Sequence, residues 1–128
     1  MISKKEYLMG RDTEYPAEYT QELSDNIDKL LISLNKFREK YGSPMIVSSG
    51  WRPLAINATT PGAAKKSNHC LGLACDFKDL DRTLAKYCLQ HLDVLEECGL
   101  YMEAPDSTPT WVHLQCVPPR SGKRVFKP

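Results

Sequence analysis

The chain has 128 residues, 41% of them apolar and 26% charged, which fits one soluble domain with a single core. Its formal net charge is only +1, so charge gives no case for a nucleic-acid partner. No apolar run approaches the roughly 20 residues a membrane span needs, so no membrane partner is expected either.

In chain order, residues 1–14 are polar and unpatterned and are expected to be an irregular lead-in. Pro16 suits the first turn of a helix, where its missing N–H costs little. Leu23, Ile27, Leu30, Leu34, Phe37 and Tyr41 then recur at spacings of four and three, one apolar stripe on a helix that Gly42 ends. Pro44 to Ser49 reads as a short buried strand, and residues 54–68 as a long irregular loop. Gly72 to Lys78 is the second strand. Asp79 or Asp81 is placed to cap a second helix, with Leu84, Cys88, Leu92 and Leu95 as its buried stripe and His91 mid-helix. Leu100–Glu103 and Thr110–Cys116 read as strands joined through the turn-rich residues 104–109, hence a hairpin. Pro118-Pro119 closes the sheet, and the basic residues Arg120, Lys123, Arg124 and Lys127 mark a loose, solvated tail. The pattern predicts an α+β domain over residues 15–119, with helices packed on a small antiparallel sheet.

Five cysteines occur, none in a Cys-x-x-Cys pair. The odd count argues against a disulfide framework and for reduced, buried thiols. No apolar stretch opens the chain, so it is expected to be made in the cytoplasm without a signal peptide.

The chemistry concentrates in Ser67-Asn68-His69-Cys70-Leu71-Gly72-Leu73-Ala74-Cys75-Asp76 and in Trp111-Val112-His113. Two histidines and one carboxylate make a divalent-metal set with an open position, and zinc favours it. Strict alternation along a strand would put His69 and Asp76 on opposite faces. His69 is therefore expected on a bend ahead of the strand that carries Asp76. A purely structural zinc domain would need a fourth protein ligand, Cys70 or Cys116. Arg52, at the end of the first strand, is suited to grip a carboxylate or polarise a carbonyl.

The segments Ser48-Ser49-Gly50-Trp51-Arg52-Pro53 with Ile56-Asn57, Ser67-x-His69-x-x-Gly72-x-Ala74-x-Asp76, and Trp111-Val112-His113 together resemble the zinc D-alanyl-D-alanine carboxypeptidase and L-alanyl-D-glutamate endopeptidase family. The likeness runs from about Leu23 to Gln115 and is closest in flavour to compact phage-type members. It implies a hedgehog/DD-peptidase-like fold and zinc held by His69, Asp76 and His113. It further implies a substrate or transition-state contact from Arg52 and supporting, substrate-binding roles for Ser49, Asn57 and Ser67. The implied substrate is a peptidoglycan stem peptide, reached after holin-type release or as a virion component among phage tail proteins. Trp51 and Trp111 are candidates to line the peptide groove.

One position departs from the family pattern. Many members carry an acidic residue three positions before the final histidine, where this chain has Thr110. Gln115 offers no base either. If the hairpin turn spans 104–109, Glu103 pairs opposite Thr110 and can supply the base from the facing strand. Asp106 at the tip is a weaker candidate. Should no base be present, the alternative is a non-catalytic zinc module that keeps the metal for stability.

Overall fold

The computed structural model describes residues 1–65 and 67–128; the loop predicted at position 66 lies outside the described residues. Helices α1 (Lys4–Leu8), α2 (Arg11–Glu14) and α3 (Gln21–Tyr41) come first. They are followed by β1 (Val47–Ser49), α4 (Leu54–Thr59), β2 (Ala74–Lys78), α5 (Thr83–Gln90) and α6 (Leu92–Glu97). Strands β3 (Tyr101–Glu103), β4 (Trp111–Gln115) and β5 (Val125–Phe126) complete the chain.

The five strands form one sheet in the order β1-β2-β4-β3-β5. All pairings are antiparallel except β3 with β5, which is parallel. Alternation sorts the side chains by face. Cys75, Phe77, Met102, Val112 and Leu114 are buried in the core with Leu23, Ile27, Leu30, Leu31, Leu34 and Phe37 of α3. The other parity carries Asp76, Glu103, Trp111, His113 and Gln115. The α+β prediction and the α3 stripe hold.

Gly72 shows why small residues precede β2. Its φ is +71°, and a Cβ there would lie 2.7 Å from Ile27 Cγ1 and 2.9 Å from Leu23 Cδ1. Only glycine lets this turn pass so close under α3.

Several expectations are corrected. Residues 1–14 are not irregular: Ser3 and Glu6 form a reciprocal capping box that starts α1. Ile2, Tyr7 and Leu8 are buried, and the Tyr7 hydroxyl donates to Ala74 O at 2.8 Å. Pro16 does not open α3. Thr20 does, because its hydroxyl accepts from Leu23 N–H at 3.2 Å and satisfies an end group that proline leaves bare. The 54–68 loop contains α4. The second helix is two: His91, at φ −134° and ψ 51°, breaks it, so Leu92 turns outward at 39% exposure while Leu95 stays buried. Asp79 and Asp81 both act at its start. Asp79 accepts from Leu84 and Ala85 N–H, and Asp81 from Thr83 N–H. The basic tail is not loose, since residues 125–126 join the sheet beside β3.

Candidate active site

Asp76 and His113 are direct partners in the β2–β4 ladder, so adjacent strands hold both side chains on one face. His69 arrives from the turn ahead of β2, as the alternation argument required. Three bonds stitch that turn to residues 50–52. Arg52 N–H donates to His69 O at 3.1 Å, the Trp51 indole N–H donates to Cys70 O at 3.2 Å, and His69 Nδ1–H donates to Gly50 O at 2.8 Å. The close packing is possible because residue 50 is glycine: a Cβ there would collide with the Tyr7 backbone carbonyl.

The hydrogen bonds fix the tautomers. A backbone carbonyl only accepts, so His69 carries its proton on Nδ1 and turns the Nε2 lone pair toward Asp76 Oδ1, 3.2 Å away. Gln115 donates its Nε2–H to Val117 O at 2.9 Å, which leaves its Oε1 to accept from His113 Nε2–H at 2.8 Å. His113 therefore points Nδ1 at the same Asp76 Oδ1, at 2.9 Å. Two imidazole nitrogens thus converge on one carboxylate oxygen, each oriented by an acceptor on its far side. This is the arrangement in which outer partners orient metal-binding histidines.

His69 Nε2, the Asp76 carboxylate and His113 Nδ1 offer ligand atoms that all lie within 4.8 Å of one another. Ligand atoms around a tetrahedral zinc stand roughly 3.4 Å apart, close to the two separations measured to Asp76. The donor set therefore fits the ion. No cysteine belongs to this cluster among the described residues, which removes Cys70 and Cys116 as a fourth ligand here. All five cysteines are free thiols.

Charge follows the same logic. Burial pushes the Asp76 carboxyl up, but the His113 and His69 imidazoles beside it outweigh burial and hold the group well below the usual carboxylate range. Burial lowers His69 and keeps it neutral, as a ligand must be. For His113 burial also acts downward, but the contacts with Asp76 and Gln115 raise it above its ordinary value.

These groups open onto a cleft of about 470 Å3, a size suited to a small peptide segment. Arg52, Ser67, Asp76, Glu103, Trp111 and His113 all contribute to its walls. Arg52 is buried at 8% exposure. Its Nη1–H donates to Asn57 Oδ1 at 3.4 Å, while its Nε–H has no partner among the described residues. Glu103 enters from β3, but not opposite Thr110. The observed pairs are Tyr101 with Gln115 and Met102 with Leu114, and the same register carried on sets Glu103 opposite His113. The connection that carries this register includes the 3₁₀ turn Pro105–Ser107. Burial raises the Glu103 carboxyl, His113 opposes that rise and Asp76 adds to it.

The other predicted site residues divide. Ser67 lines the cleft, and its hydroxyl accepts from His69 N–H at 3.1 Å. Asn57 is buried behind the wall, where it holds Arg52 and donates to Ala64 O at 2.9 Å. Ser49 sits across from Asp76 in the β1–β2 ladder, outside the cleft lining. Trp51 is corrected outright. At 1% exposure it packs in the core beside Tyr19, and Trp111 is the tryptophan at the cleft. Gln115 was dismissed as a base and overlooked as the partner that orients His113. Its spacing of two from His113 on one strand was the available signal.

Comparison with known proteins gives one match. Residues 8–115 fit the family model described as Peptidase M15. No curated protein and no solved structure matches the chain. The match spans most of the sequence, including every residue of the His-Asp-His cluster, Arg52 and Glu103. The chain belongs to the M15 peptidases, the zinc D-Ala-D-Ala carboxypeptidase family that its motifs resemble.

Proposed function

We propose that the protein is a zinc-dependent peptidase that hydrolyses an amide bond in peptidoglycan stem peptides. The observation that supports this most strongly is the convergence of two oriented imidazole nitrogens on the Asp76 carboxylate inside an open cleft. His69, Asp76 and His113 would hold the zinc. Zinc there supplies a Lewis acid for a carbonyl oxygen and brings the pKa of water from about 15.7 to near 7.

The chain's own groups account for the rest. Glu103, raised by burial and set opposite His113, accepts a proton from the attacking water at its carboxylate and returns it to the leaving amine nitrogen. Arg52 lines the same cleft with a buried guanidinium whose Nε–H is unpaired among the described residues, and its role is to meet a substrate carboxylate or the oxyanion. Asn57 keeps that guanidinium in place. Thr110 needs no catalytic duty, because the acidic group missing from its position is provided by the neighbouring strand.

Incubation of the zinc-loaded protein with purified murein and with stem pentapeptides tests the reading by mass spectrometry. Release of D-alanine, or scission between L-alanine and D-glutamate, is the expected result. A zinc-loaded protein inert on both would favour a non-catalytic module.

A further inference from the structure

The family match ends at residue 115, yet the cleft does not. Phe126 and Pro128 contribute to its lining. Phe126 is the β5 partner of Glu103, and its ring lies 6.1 Å from the His113 ring at 85°, edge to face. It therefore stands beside both the base and a metal ligand of the proposed mechanism.

The strap that delivers it is firmly tied. Met102 N–H donates to Arg124 O at 2.9 Å, and Ala104 N–H to Phe126 O at 2.6 Å. Arg124 Nη1–H donates to Leu100 O at 2.9 Å, and its guanidinium covers the Tyr101 ring at 4.1 Å. A wall fixed in this way cannot yield to a bulky ligand without breaking sheet bonds.

We propose that Phe126 is a specificity wall: it bounds the space for the substrate side chain beside the scissile bond and so favours alanine over larger residues. The inference rests on the peptidoglycan reading, whose stem peptides present alanine at both candidate bonds. It adds that the selecting residue comes from the strap outside the family match.

The test uses zinc-loaded full chain and the pentapeptide L-Ala-γ-D-Glu-L-Lys-D-Ala-D-Ala. Analogues carry leucine of matching configuration in place of each alanine in turn. The ratio of kcat/KM for alanine over leucine at the sensitive position should fall about tenfold or more in Phe126→Ala, since pocket size alone discriminates by roughly 10–200-fold per methylene. Phe126→Leu, which keeps an apolar β5 residue, should give a smaller relaxation and decides the matter if the alanine variant does not fold. Zinc stoichiometry should stay at one per chain, which shows that the metal site is intact in the variant. An unchanged ratio in a folded, zinc-loaded variant overturns the proposal.

Calorimetric titration with the same peptides separates this from the activity itself. If the wild type cleaves none of them, the peptidase reading fails. The wall still stands if the alanine peptide binds, the leucine analogue does not, and Phe126→Ala binds both. Equal binding of the two by the wild type, or binding of neither, refutes it.

Discussion

Replacing Gln115 with methionine removes the acceptor that orients His113 while keeping the side-chain volume. Gln115 is 3% exposed, and its Oε1 lies 2.8 Å from His113 Nε2, so the variant leaves a buried N–H unpaired. Such a loss costs about 1–3 kcal/mol. It also frees His113 to move its proton to Nδ1, the nitrogen aimed at Asp76. Loss of an orienting partner typically weakens metal affinity by about 10–100-fold, equivalent to roughly 1.4–2.8 kcal/mol. Zinc affinity is read by competition with a chelator, alongside the melting temperature of the metal-free protein. Gln115→Glu retains an acceptor oxygen and should restore most of the affinity. Wild-type zinc affinity in a folded Gln115→Met protein would refute the tautomer argument. A lower melting temperature with unchanged zinc affinity would reduce Gln115 to a structural role.

Glu103→Gln should retain zinc and lose about 10²–10⁴-fold in kcat. A base works ionised, so wild-type kcat/KM should fall as pH drops through the Glu103 pKa, which burial sets above its ordinary 4.5; a rate–pH profile checks both. Gly50→Ala should cost about 1–3 kcal/mol or more from overpacking against the Tyr7 carbonyl, and should also weaken zinc binding, because Gly50 O orients His69. Denaturant melts and chelator competition read the two effects separately. Leu34→Ala, at a fully buried position on α3, should lose about 2–5 kcal/mol in the same melts with no change in zinc affinity once folded.

The His69–Asp76 half of the cluster was legible in the sequence because the two share a tightly spaced motif and alternation already demanded a bend between them, whereas His113 stands in a separate segment that only the β2–β4 pairing brings to Asp76. The long α3 stripe was legible from its periodic spacing. Glu103 was found from hairpin logic, but its partner was misjudged, because the register of the β3–β4 pairing is not fixed by the turn-rich composition of the connection. Both tryptophans were candidates for the groove and only Trp111 lines it; the burial of Trp51 goes with a long-range bond to Cys70 O that its local sequence does not reveal. β5 was missed because two residues in a basic segment carry no periodicity. Their pairing is decided by the free edge of β3. The capping box at Ser3 and Glu6 was readable and passed over, since α1 is too short to show an apolar stripe.

The central claim is that His69, Asp76 and His113 grip one zinc ion. X-ray absorption on protein reconstituted with zinc tests it directly, paired with metal analysis of His113→Ala. The account predicts one zinc per chain with only nitrogen and oxygen neighbours, lost in the variant. Sulfur around the metal, or wild-type protein that retains no zinc, would contradict it.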